Sequence, residues 1–186
     1  MNHFDWPMLH AVNGLAGRLP MLDQAVILFT EFAPELFGLS FLLLWFWPAP
    51  NRRDRQRIVV CAVLGGLLAL VLNLGIASGY DRLRPFAVLP DQVKLLVPHD
   101  PHASLPSDHA SGSFAFAAAM TDAGPLLGSV FWVTGAMVAL SRLYVGVHWP
   151  TDLLASLMVG VISTAAVRRL WCRFGPISGL SRGRAR

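Results

Sequence analysis

Residues 58–78 read IVVCAVLGGLLALVLNLGIAS, and no charged side chain interrupts them. A helix crossing the hydrocarbon core of a bilayer needs about 20 mostly apolar residues, because lipid offers no partner to a free backbone amide or carbonyl. This stretch meets that length. Immediately before it stands Asn51-Arg52-Arg53-Asp54-Arg55-Gln56-Arg57, with four arginines, and shortly after it comes Asp81-Arg82-Leu83-Arg84-Pro85-Phe86. One apolar span between two charged segments is the pattern of a membrane helix, and the rest of the chain repeats it.

Working outward, four further spans are predicted at about 22–47, 107–120, 126–140 and 153–170. The third and fourth are short, but Ala110, Ser111, Gly112, Ser113, Ala115, Ala117 and Ala118 give the small-residue pattern of closely packed membrane helices. Near the N-terminus Phe4, Met8, Val12 and Leu15 recur at helical spacing beside Trp6, which predicts a short helix, either lying in the membrane interface or packed as an ordinary amphipathic core helix. Asp5 and Pro7 come too early for a cleavable signal peptide. The expected fold is therefore an all-α integral membrane protein, with about five transmembrane helices plus an N-terminal interfacial helix. It forms one domain over 1–186, with a basic tail from about 171.

Composition agrees. Of the 186 residues, 54% are hydrophobic and 14% charged, against about 45–50% and 25% in soluble chains. Mean hydropathy is +0.52. Disordered chains are too poor in apolar residues to match, and two cysteines exclude a disulfide scaffold. Cys61 and Cys172 read as reduced thiols in apolar surroundings near the same ends of their helices. The net charge of +4 does not indicate nucleic-acid binding, because the arginines collect at helix ends. The 51–57 loop and the tail from Arg168 together hold ten of the fifteen basic residues. Five spans put both on one side, which the positive-inside rule makes cytoplasmic. The link at 121–125 also falls there, without a positive charge.

The remaining ionisable residues then collect on the opposite, outward side. Asp81-Arg82-Leu83-Arg84 follows the second span, Pro106-Ser107-Asp108-His109 opens the third, and Ser141-Arg142 ends the fourth. His148-Trp149-Pro150-Thr151-Asp152 opens the fifth. Ionisable groups at membrane spans are costly and mark sites. Arg84 and Arg142 offer guanidinium forks for phosphate oxygens. Pro106 suits the first helical position, so Ser107 and the following amides are placed to receive an anion. His148 and Asp152 are four apart, which predicts a ring nitrogen bonded to the carboxylate and the other nitrogen free to attack. His109 supplies a second imidazole as acid or base.

These segments resemble the type-2 phosphatidic acid phosphatase superfamily. Its third signature is complete here as Ser141-Arg142, five residues, His148, three residues and Asp152. The second appears as Pro106-Ser107-Asp108-His109, with Asp108 where the family has Gly. The first keeps Arg84-Pro85, but its Lys position is Ala77. Pro-Ser-Asp-His, Arg-Pro-Phe and the Pro98-His99 segment look like the bacitracin-resistance branch, bacterial undecaprenyl pyrophosphate phosphatases with outward-facing sites. The resemblance implies that His148 forms a phosphohistidine, Asp152 orients it and His109 protonates the leaving oxygen. It further implies that Arg84, Ser107 and Arg142 bind the phosphoryl group, and that neither metal nor other cofactor is needed. The substrate implied is a polyprenyl diphosphate lipid in the bacterial inner membrane.

Three points stay open at the sequence level. Arg82 stands as a replacement for the missing Lys or as an anchor to lipid headgroups. Asp108 is expected to turn toward an imidazole or a backbone donor. Glu31 and Glu35 share a helix face, which is expected to point into the bundle, either to hydrogen-bond a neighbouring helix or to bring Glu31 to the site floor. A competing zinc reading of His99, Asp100, His102, Asp108 and His109 matches no closed ligand spacing, and Arg84 would repel the cation. Phosphatases of other lipids, such as phosphatidic acid or phosphatidylglycerol phosphate, are alternative readings. A non-catalytic lipid-phosphate carrier would need the arginines but not His148 with Asp152.

Overall fold

The structure, a computed structural model, describes residues 3–48 and 50–174. The tail arginines Arg182, Arg184 and Arg186 lie outside them. Among the described residues all regular structure is helical: α1 (Asp5–Asn13), α2 (Pro20–Phe46), α3 (Arg52–Gly79), α4 (Pro85–Val88), α5 (Asp108–Met120), α6 (Pro125–Tyr144) and α7 (Pro150–Phe174). A single 3-10 turn, Thr121–Ala123, joins α5 to α6. Helices α2, α3, α6 and α7 are long and apolar enough to cross a membrane. They form a multi-pass membrane bundle.

The predicted third span, α5, is the centre of that bundle. Its thirteen residues rise only about 20 Å at 1.5 Å per residue. It packs against α3, α6 and α7, and α3 packs on α7. Small residues permit this approach. A Cβ at Gly160 of α7 would lie 2.6 Å from the Ser111 carbonyl oxygen and 2.7 Å from the Ala115 nitrogen, so the two backbones touch there. Outward-facing side chains such as Leu74 and Val71 are 73% and 65% exposed, which suits contact with lipid rather than water.

Helix α2 turns a different face inward from the one its charges suggest. Its buried stripe is Thr30, Ala33, Phe37 and Phe41. Phe37 and Phe41 meet Phe116 and Phe131, with ring centroids 5.0–5.8 Å apart. Glu31 and Glu35 are exposed, so Glu31 does not reach the site floor. Aromatic packing, rather than the cost of two carboxyls, sets the rotation of this helix.

At α1 the apolar side chains Phe4, Met8 and Leu15 are 42–48% exposed, while Asp5, Leu9 and Asn13 are buried. The helix thus shows an apolar stripe outward and a partly polar stripe to the bundle. Asn13 donates to the Lys94 and Tyr144 carbonyls at 2.8 Å each and accepts the Lys94 amide at 2.9 Å. At the arginine-rich end, Arg168 pairs with Asp122 at 2.8 Å, which supplies the 121–125 link with a positive charge. The cysteines there sit among both apolar and charged side chains, Ile58 and Trp171 beside the ion pairs. Cys172 is exposed, and both line a pocket with Asp54, Arg57, Asp122 and Arg168.

Candidate active site

The helix ends opposite the arginine loop carry the predicted groups, and the fold brings them together. Pro150 takes the first position of α7 with its fixed φ. This leaves His148 outside the helix, where the i, i+4 geometry of a helix does not apply. The Nδ1 of His148 is 3.7 Å from Asp152 Oδ2 but 2.7 Å from the Ser104 carbonyl oxygen. A carbonyl only accepts, so Nδ1 carries the proton and Nε2 keeps its lone pair. The predicted ring–carboxylate bond is thus replaced by a ring–backbone bond that fixes the same tautomer.

Asp152 is buried and fully engaged elsewhere. Its Oδ2 accepts Ser104 Oγ–H at 2.6 Å and the Trp149 amide at 2.8 Å. Reaching back from the third helical position to the residue before the helix is half of a capping box. Its Oδ1 accepts Arg82 Nη1 at 2.5 Å. Ser104 therefore couples the pair, with its carbonyl on His148 and its hydroxyl on Asp152.

Arg82 takes neither of its two expected places. Nη2 donates to Asp5 Oδ2 at 2.7 Å, Nη1 also donates to Thr151 Oγ1 at 2.7 Å, and the guanidinium lies 5.5 Å from the Trp149 ring centre. Asp5 also accepts the Thr151 amide at 2.9 Å and the Thr151 hydroxyl at 2.8 Å. A carboxylate–guanidinium–carboxylate chain so runs from the N-terminal helix to Asp152. Asp5, Thr151 and Ser104 were missed at the sequence level. The one available signal was an aspartate among the apolar residues of α1.

Arg84 is buried and staples the outer loops. Its side chain donates to the carbonyls of His102, Ala103 and Val147 at 3.1, 3.1 and 2.9 Å. Nη1 also stands 3.0 Å from His148 Nε2, so it donates to the lone pair. Burial, and then the Arg84 and Arg142 guanidiniums against the opposing Asp152, hold His148 down at about 4. The ring is neutral at pH 7. The approach to His148 is set by Gly146, whose φ of +81° suits glycine, and whose Cβ would fall 2.5 Å from the Lys94 carbonyl oxygen.

Arg142 is buried, and Nη1 donates to Thr30 Oγ1 at 2.9 Å. Its Nε has no protein partner among the described residues, and neither does the buried hydroxyl oxygen of Ser107. Two of the three predicted phosphate ligands thus hold orphaned donors. Pro106 precedes the cap rather than opening the helix, and Ser107 is the N-cap of α5. The Ser107 amide donates to Ser156 Oγ at 2.8 Å, so the hydroxyl rather than that amide is left for an anion.

His109, in the first turn of α5, is half-buried. Asp108 beside it is held by neither imidazole nor backbone donor. Asn73 Nδ2 donates to its Oδ1 at 2.8 Å, and Ser111 holds the Asn73 oxygen at 3.2 Å. The residues of the zinc reading separate. His102 pairs with Asp81, Asp108 with Asn73, and His99 stands edge-on to His148 with ring centroids 6.4 Å apart. From His109 and Asp108 a cavity of about 480 Å³ runs between α2 and α3, lined by Phe37, Phe41, Val63, Leu67, Leu70 and Phe116.

Imidazoles, guanidiniums and a buried carboxylate at one end of an apolar helical bundle, above an apolar cavity, define a membrane-embedded phosphatase architecture. The model of the PAP2 superfamily matches residues 57–175. The undecaprenyl-diphosphatase BcrC of Bacillus subtilis (strain 168) is 32% identical over 158 residues, covering 85% of this chain and 79% of that one. The bacitracin transport permease protein BcrC of Bacillus licheniformis is 29% identical over 84% of this chain and 75% of its own. The crystal structure of Aquifex aeolicus LpxE shares the fold, with a TM-score of 0.75 over 90% of this chain and 96% of that one at 23% identity. The chain belongs to the PAP2 superfamily and is a membrane phosphatase of that family.

Proposed function

We propose that this protein hydrolyses undecaprenyl diphosphate to undecaprenyl phosphate and phosphate, through a phosphohistidine on His148. The site faces the outside of the bacterial inner membrane. The observation that carries the chemistry is the setting of the His148 ring: Nδ1 lies 2.7 Å from the Ser104 carbonyl oxygen, which places the proton there, and Nε2 lies 3.0 Å from Arg84 Nη1. The terminal phosphoryl group enters between Arg84, Arg142 and Ser107 and takes over the Arg84 donor. Nε2 attacks phosphorus, the N–P bond forms and the bridging P–O bond breaks. His109, which takes up a proton from solvent as the multiply charged substrate binds, gives it to the departing phosphate oxygen of the lipid. The imidazolium formed at His148 is stabilised by the Ser104 carbonyl and the nearby Asp152 carboxylate. Water, deprotonated by His109, then attacks phosphorus and breaks the N–P bond. Arginines neutralise the charge developed in both steps.

The cavity below His109 supports a lipid substrate, since its apolar walls suit a prenyl chain. The name of the Bacillus subtilis relative supports a polyprenyl diphosphate substrate. In this reading the enzyme recycles the cell-wall carrier lipid, and its expression raises bacitracin resistance. Phosphate release from the purified protein across a panel of lipids tests the substrate. Undecaprenyl diphosphate should give the highest kcat/KM, above phosphatidic acid and phosphatidylglycerol phosphate. Turnover of a monophosphate with undecaprenyl diphosphate left intact would overturn the assignment.

A further inference from the structure

The family's first signature places a Lys where this chain has Ala77, and the structure removes the obvious substitutes. Arg82 is spent on Asp5, Thr151 and Asp152. Lys94 is held by the Ala16 carbonyl at 2.6 Å, in the turn after α1. One residue at the mouth of the site remains unassigned. His99, on the loop between α4 and α5, stands edge-on to the His148 ring at 6.4 Å. It is exposed on its outer side, and its ring makes no hydrogen bond to a described residue. Resting on the phosphatase reading of this site, we propose that His99 is a substrate-binding residue, the third cationic donor to the transferred phosphoryl group, which replaces the family lysine.

Position supports this. A phosphoryl group over His148 Nε2, between Arg84 and Arg142, lies within reach of a ring that already touches His148 edge-on. Electrostatics supports it too. Desolvation on the inner side, then Arg84, Arg142 and His148, hold the empty His99 at about 4, against the weaker pull of Asp100. His109 faces the same group of cations. His99 is therefore neutral before substrate binds. A multiply charged phosphate set between these groups reverses the local field and draws a proton from solvent onto His99. A lysine in this position would stay charged or pay to discharge beside two arginines, whereas an imidazole charges only when the anion arrives.

Three substitutions separate phosphate binding from packing. His99→Phe keeps the ring against His148 but loses the donor, His99→Lys keeps a cationic donor but loses the ring, and His99→Ala loses both. The first readout is inhibition of lipid phosphate hydrolysis by inorganic phosphate. The second is direct binding of inorganic phosphate to the purified protein, followed by phosphorus NMR. Phe and Ala should each weaken phosphate binding and lower kcat/KM by about ten- to a hundred-fold, the usual effect of losing a hydrogen bond to a charged group. Lys should restore most of both. Full activity and phosphate affinity in the Phe variant, with loss in the Lys variant, would make His99 a packing residue and overturn the proposal. If the parent protein hydrolyses a different lipid phosphate, the substrate reading fails, while the binding readout still decides the role of His99.

Discussion

At the scale of single residues, the account rests on a histidine held neutral. The Ser104 carbonyl fixes the proton on His148 Nδ1, and burial with two nearby guanidiniums keeps the ring from charging until the pH falls to about 4. The folded value is depressed, so the neutral ring persists at every pH above it. NMR of protein labelled with nitrogen-15 histidine should show His148 keeping its Nδ1–H tautomer from pH 8 down to about 5. Titration near 6.5 would mean that the ring is hydrated and the guanidiniums do not act on it. The sequence made this residue easy to find and its partner easy to mistake. Spacing of four suggested a ring–carboxylate bond, but Pro150 starts the helix after His148, so the ring turns to a carbonyl from another loop. Ser104 carries no local pattern that would have announced this role. Asp108 was misplaced for a similar reason, since Asn73 lies 35 positions away on α3.

At the scale of elements, α1 belongs to the site. Asp5 is 1% exposed, and its contacts to Arg82 and Thr151 reach across 77 and 146 positions of sequence. A short helix was legible from its apolar spacing, but such distant contacts were not. If Asp5 acts by holding Arg82 on Asp152, Asp5→Asn and Arg82→Met should not be additive. Each alone should lower kcat by about tenfold with KM little changed, and the double variant should be no worse than the poorer single one, as linked residues behave. Additive losses would confine Asp5 to anchoring α1. Helix α2 teaches the opposite lesson. The cost of two carboxyls argued for an inward Glu31, whereas the packed stripe holds Phe37 and Phe41. The aromatic contacts decided the rotation.

At the scale of the whole molecule, the long spans follow directly from hydropathy, and so these were the most legible features. Spans predicted at 22–47 and 58–78 became Pro20–Phe46 and Arg52–Gly79. The chemistry then gathers at one end of the bundle because three loops return to it. The proposed orientation has a direct check. A Cys at Pro90 should react with an impermeant thiol reagent outside intact cells, and a Cys at Gln56 should not. Reversed labelling would put the site in the cytoplasm and overturn the proposed role in outward carrier recycling. The central claim, covalent catalysis by His148, is tested most directly by rapid quenching of the purified protein with undecaprenyl diphosphate labelled in its terminal phosphate. The account predicts an acid-labile, alkali-stable phosphoryl group on the parent protein. In His148→Ala the label should be absent and turnover at least about a thousand-fold lower, as for loss of a covalent nucleophile. Equal turnover in that variant would contradict the account.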